Sequence, residues 1–123
     1  VSGTTARPYA QIVILDPQPV LGELLVERLR AREPRWSFEH AASIAETRAL
    51  LAVTSDALLL SALRLTDGGV LDLAAMTSAN HPGARIILWT EQYPMHLAGR
   101  LSRLGMLTFM PRSWPLERLL REF

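Results

Sequence analysis

Ala57-Leu58-Leu59-Leu60-Ser61 is the stretch from which the fold can be read. It is a short apolar run, preceded by Asp56 and ended by a hydroxyl. Such a run, bounded by polar residues, predicts a strand covered on both faces, as in a parallel sheet. Open α/β sheets hold their ligand crevice at the carboxyl ends of the strands. Any site in this domain is therefore expected beside Ser61. A serine there, with no base evident nearby in sequence, is the central puzzle.

Working outward, Gln11-Ile12-Val13-Ile14-Leu15-Asp16 is a second run of this kind, ending in a carboxylate. Arg85-Ile86-Ile87-Leu88-Trp89-Thr90 is another, ending in a hydroxyl. Residues 106–110 form a further strand, and residues 36–41 alternate weakly, as an outer strand does. Helical spacing fills the intervals. Pro17 and Pro19 precede a helix over 20–32 whose apolar residues fall at 20, 21, 24, 25 and 29. Ser43-Ile44-Ala45-Glu46 has the form of a capping box opening a helix to about residue 53. Residues 66–69 read as a turn and 70–76 as a short helix. Residues 95–104 are helical with Leu97, Leu101 and Leu104 on one face, and Gly105 stops them. Ser113 is placed to cap a last helix with apolar residues at 116, 119, 120 and 123.

Strict β–α alternation implies a three-layer, doubly wound (βα)5 domain with a five-stranded parallel sheet and right-handed crossovers. The strand order 2-1-3-4-5 fits best, with Asp16, Ser61 and Thr90 converging at one end of the sheet. Residues 1–10 read as a flexible lead-in and 11–123 as one domain.

Composition narrows the chemistry. The chain has 123 residues, 49% hydrophobic, with a net charge of +1, so no strong field favours nucleic acid or a membrane. All 13 basic residues are arginine, which removes lysine chemistry. Without cysteine there is no disulfide, thiolate nucleophile or zinc–thiolate site. No apolar run approaches the ~20 residues that span a bilayer, and residues 1–8 lack the apolar core of a signal peptide, so a cytoplasmic location is expected. His40, His81 and His96 lack ligand spacing. Gly68-Gly69 is a turn, and no phosphate-binding glycine pattern follows the first strand. No cofactor and no metal are expected.

The ordered motifs resemble the receiver domains of response regulators, over about residues 11–123. Ile14-Leu15-Asp16-Pro17-Gln18-Pro19-Val20 resembles that family's first strand and acidic loop. Asp56-Ala57-Leu58-Leu59-Leu60-Ser61 resembles the strand that ends in the phosphorylated aspartate. Ile86-Ile87-Leu88-Trp89-Thr90 resembles the strand with the switch threonine, and residues 105–112 the Gly-Ala-x-Gly-Tyr-Leu-x-Lys stretch. The Gln18-Pro19-Val20 run is similar to the NarL/FixJ-type subgroup, which carries a helix-turn-helix output domain. That resemblance implies an output domain beyond Phe123, with DNA contact only through it.

The departures lie at the reacting positions. Pro17 replaces one acidic residue, Ser61 the phosphoacceptor, Arg112 the lysine and Leu65 the proline four residues after the acceptor. Thr90 is kept, and Phe109 keeps an aromatic at the switching position. The family reaction needs a carboxylate nucleophile, magnesium and a cation beside the acyl phosphate. The resemblance therefore implies a degenerate, non-enzymatic pseudo-receiver, with Arg112 expected to lie toward Asp16. It also implies a partner or homodimer contact through the fourth helix, fifth strand and fifth helix, carrying Arg100, Arg103, Glu117, Arg118, Arg121 and Glu122. The same charges also read as a solvated mixed face. Trp89 and Tyr93 read either as a contact surface or as cover over the pocket. A small-ligand sensor, or an enzyme or nucleotide binder on the same doubly wound fold, is the alternative reading.

Overall fold

The computed structural model describes residues 9–54, 56–104 and 108–123. Gly105, the expected helix stop, and residues 106 and 107 of the last expected strand lie outside them, as do residues 1–8 of the lead-in. In chain order the elements are β1 (Gln11–Leu15), α1 (Pro19–Arg32), β2 (Phe38–Ala41), α2 (Ile44–Leu51), β3 (Ala57–Ser61), β4 (Arg64–Leu65), β5 (Gly68–Gly69), α3 (Val70–Asn80), β6 (Arg85–Trp89), α4 (Ala98–Arg103), β7 (Phe109–Met110) and α5 (Leu116–Glu122). A 3-10 turn, Met95–Leu97, leads into α4.

The main sheet has the order β2-β1-β3-β6-β7, and every pair in it is parallel. Counted over its five strands this is the expected 2-1-3-4-5. β3 is the middle strand, with Leu15 and Leu88 as the register partners of Ser61. All five residues of β1 and of β3 are buried. Successive side chains on a strand point to opposite faces, so an all-apolar strand needs cover on both. Val13, Leu15, Ala57, Leu59, Ile86 and Leu88 pack under α2, α3 and α4 with Ile44, Leu51, Leu73 and Leu101. Ile12, Ile14, Leu58, Leu60 and Ile87 pack under α1 and α5 with Val26, Leu29, Leu119 and Phe123. Each fully buried leucine contributes about 1.5–3 kcal/mol by leaving water, which makes the two-sided arrangement the stable one.

Several local expectations change in the folded chain. α1 buries only part of its apolar stripe, Leu29 fully and Leu25 partly. Its buried residues are Gly22, Val26 and Leu29, while Val20, Leu21 and Leu24 are exposed. At the close approach to β2 stands Gly22, where a Cβ would overlap the His40 ring. The expected turn at 66–69 is part of a small antiparallel β4–β5 hairpin, and α3 runs four residues beyond 76 to Asn80. Ser113 does not cap α5; Pro115 is its N-cap and makes no side-chain cap bond. Of the expected α4 face only Leu101 is fully buried, and Leu104 is exposed. Ahead of β1, Tyr9 packs on the α1–α5 side and the Ala10 amide donates to the Asp56 carbonyl at 2.8 Å. On the sheet edge, the Arg30 guanidinium donates to the Phe38 carbonyl at 2.6 Å, covering a group that another strand could pair with.

The start of α2 is doubly capped. Ser43 Oγ accepts from the Glu46 amide at 3.0 Å, and Glu46 Oε1 accepts from the Ala42 amide at 2.6 Å, one residue before the usual partner. Asp67, from the hairpin, accepts from the Ile44 and Ala45 amides at 2.7 and 3.1 Å. The Ile44 hydrogen bond, with the Ala45 bond and Arg48 beside it, holds the Asp67 carboxyl below the usual aspartate range. A folded-state value below the unfolded one gives stability above the unfolded value that is lost as pH falls through the folded value. We therefore expect the stability gap between the wild type and Asp67→Ala to be full near neutrality and to shrink below about pH 4. Paired thermal melts across that range check this; a gap independent of pH would contradict it.

Candidate functional site

The carboxyl end of β1 carries Asp16, whose amide donates to the Ala41 carbonyl at 3.1 Å. Its side chain turns back on its own loop, and Oδ1 accepts from the Gln18 amide at 2.8 Å. Aspartate favours this bond two residues on, and Pro17 between them stiffens the turn. The other oxygen, Oδ2, accepts from Arg112 Nη2 at 2.7 Å. The Asp16 side chain is 3% exposed and that of Arg112 32%, so the pair is sheltered on the acid's side only.

Arg112 reaches this point from the far edge of the sheet. The Thr90 amide donates to the Met110 carbonyl and the Arg112 amide to the Thr90 carbonyl, both at 3.2 Å, tying the ends of β6 and β7 together. The guanidinium carbon lies 4.1 Å from the centroid of the Trp89 ring. A planar cation can stack on an aromatic face and bond a carboxylate in its own plane, which an ammonium cannot do. Trp89, 8% exposed, is thus a floor for the pocket and not a contact surface.

Sequence reading missed His40. Its Nε2 lies 3.0 Å from the Asp16 carbonyl, acting as the donor with that nitrogen protonated. Gly22 and His40 together hold the β1–α1 loop in place. A glycine inside the helix was the available signal.

Ser61 does not join the Asp16–Arg112 pair. It is fully buried, and its Oγ donates to the Ala62 carbonyl at 2.8 Å. Strand alternation turns it with Ala57 and Leu59 toward α2 and α3. Thr66 fastens the loop beyond it, through its amide and its hydroxyl, to the Ala42 carbonyl. Thr90 is half-buried at the mouth. Phe109 is half-buried, its ring 5.3 Å from that of Tyr93 and tilted by 53°.

The mixed-charge residues divide. Arg100 and Arg103 on α4, and Arg118, Arg121 and Glu122 on α5, are exposed. Arg118 stacks on Trp114 at 3.9 Å. Glu117 instead pairs with Arg32 of α1 at 2.7 Å, and that contact lowers its carboxyl below the usual range.

Magnesium takes oxygen ligands in octahedral array, usually with carboxylates among them. Here Asp16 has one oxygen on the Gln18 amide and the other on Arg112, and Pro17 and Ser61 supply no carboxylate. This donor set does not fit magnesium. Among the described residues no cluster of three or more His, Cys, Asp or Glu is arranged to hold a metal. No described helix is long and apolar enough to cross a membrane.

No family model and no curated protein matches the sequence. Solved structures do. The signal receiver domain of an HD domain-containing protein from Pseudomonas fluorescens Pf-5 is 21% identical, with a TM-score of 0.77 over 99% of this chain and 89% of that one. The non-phosphorylated HemR receiver domain from Leptospira biflexa is 29% identical, with a TM-score of 0.72 over 90% and 88%. The beryllofluoride-activated NtrC4 receiver domain dimer is 15% identical, with a TM-score of 0.74 over 91% of each chain. The parallel sheet with its order and these structural matches agree: this chain has the fold of the receiver domains of response regulators.

Proposed function

We propose that this chain is a pseudo-receiver that works in signal transduction or transcription regulation by protein–protein contact, without aspartyl phosphorylation and without enzymatic activity. One observation carries the reading: the Arg112–Asp16 ion pair at 2.7 Å fills the place where a receiver needs free carboxylates. A positive guanidinium already neutralises the remaining acid. Ser61 offers an alcohol with its proton committed to a carbonyl, and no base lies among its hydrogen-bond partners. Nucleophilic activation requires such a base or a lowered pKa. The pocket is thereby held in one state, and Thr90 and Phe109 have no phosphoryl group to answer to. The partner surface assigned is the α4–β7–α5 face, where Arg100, Arg103, Arg118, Arg121 and Glu122 give a mixed-charge rim suited to electrostatic selection of a partner. The NtrC4 receiver, a dimer, shows that this fold associates.

The chemistry is tested by mass spectrometry after incubation with acetyl phosphate and magnesium. No adduct is expected, because no carboxylate stands at position 61. Ser61→Asp alone should also remain unmodified, since Pro17 leaves the metal short of a ligand and Arg112 competes for Asp16. A stoichiometric gain of about 80 Da on the wild-type chain, the mass of a phosphoryl group, lost on mild base treatment, would overturn the proposal.

A further inference from the structure

The first half of α1 presents an apolar face to solvent. Val20 is 78% exposed, Leu21 49% and Leu24 48%, three of the six large hydrophobic side chains exposed among the described residues. Ala31 extends the same face and is exposed. The opposite side of the helix is the one held on the domain, by Gly22 against His40 and by buried Val26 and Leu29. Val20, Leu24, Glu27 and Ala31 are spaced 4-3-4, the spacing of a two-helix seam. On one flank of the seam stands Glu23, and on the other, five residues on, Arg28. Both are exposed, and neither has an ion-pair partner among the described residues, whereas Arg30 and Arg32 are bound to Glu39 and Glu117. Glu23 also lies one turn from Glu27, a like-charge spacing that disfavours the isolated helix.

We propose that α1 is a self-association surface, on which two copies of this chain set their α1 helices side by side and parallel about a two-fold axis. That symmetry closes Val20 and Leu24 against their own copies. It also brings Glu23 of each chain to Arg28 of the other, twice, at the spacing of flanking ion pairs in parallel helix pairs. An antiparallel pairing would set acid flank on acid flank and base flank on base flank. The charge pattern thus selects both the occupant and its direction. Glu27 is the discordant seam residue, meeting its own copy, and it keeps the association weak. The surface is separate from the α4–β7–α5 face, and its test does not depend on whether position 61 can be phosphorylated.

Sedimentation equilibrium of the 123-residue chain, over a wide concentration range at low and moderate salt, reads the proposal. A dimer is expected. Leu24→Glu, and independently Val20→Glu at the more exposed site, should raise its dissociation constant about tenfold or more. Glu27→Leu should tighten it. Glu23→Arg and Arg28→Glu should each weaken it, and the two together should restore it. Arg118→Glu should leave it unchanged. A chain that stays monomeric, a dimer indifferent to both apolar variants, a charge swap that fails to restore pairing, or a dimer lost on Arg118→Glu would each overturn it.

Discussion

Replacing Arg112 with methionine is expected to destabilise the domain by about 2–3 kcal/mol, at or just below the lower end of the cost of stripping one partner from a fully buried ion pair. The Asp16 side chain is 3% exposed, so without the guanidinium its charge is left with the Gln18 amide as its remaining hydrogen-bond partner among the described residues. Arg112 itself is one-third exposed, so water screens part of the interaction and the upper end of the range is out of reach. Methionine keeps an apolar stem over Trp89, so the loss reports on charge more than on packing. Adding Asp16→Asn should recover most of it, because the amide oxygen can still accept from Gln18 and no charge remains buried. Arg112→Lys should fall between, since an ammonium cannot stack on Trp89 and bond Asp16 at once. Urea denaturation of the set at neutral pH gives the numbers. A cost below about 0.5 kcal/mol for Arg112→Met would place the pair with ordinary surface bridges and remove the basis for a locked pocket.

Gly22→Ala should lose about 2 kcal/mol, within the usual range for overpacking. Helix propensity alone predicts the opposite, a gain of about 1 kcal/mol from replacing glycine inside a helix. The decision lies with His40. A Cβ at position 22 would stand 2.2 Å from its Cδ2 and 2.3 Å from its Nε2, so the ring must move. Moving it breaks the 3.0 Å contact with the Asp16 carbonyl and disturbs the loop that aims the carboxylate at Arg112. In the background of His40→Ala the same substitution should become neutral or stabilising. The double-mutant cycle should therefore show coupling of at least about 1 kcal/mol, as expected for groups in direct contact. Additive effects, or a stabilising Gly22→Ala in the wild-type background, would show that α1 can shift away from β2 at little cost.

Architecture and pocket differ in how much of each is local. Apolar runs of strand length at 11–15, 57–61 and 85–89 determine the parallel sheet, because each needs cover on both faces and only alternating helices supply it. Asp16 and Arg112 could be brought together from sequence because each follows a strand at the carboxyl end of that sheet. The floor under Arg112 and the role of His40 were not readable, since they arise from contacts between residues 23 and 24 positions apart. The same holds for Ser61: its place at the end of β3 is local, but the direction of its hydroxyl depends on the pleat and on the loop it feeds.

By itself, the sequence determined the doubly wound fold, the absence of carboxylates at positions 17 and 61, and the presence of one at position 16. These are matters of pattern and residue type, complete within short stretches of chain. Only the tertiary structure decided which side of α1 faces the core. Of the apolar stripe at 20, 21, 24, 25 and 29, the fold buries Leu29 and half-buries Leu25, adds Gly22 and Val26 to the buried side, and leaves Val20, Leu21 and Leu24 exposed. A helix is rotated by the closest approach its neighbours permit. Here the closest approach is that of Gly22 to His40, on a strand formed eighteen positions later, and Val20, Leu21 and Leu24 lie on the opposite side, in water.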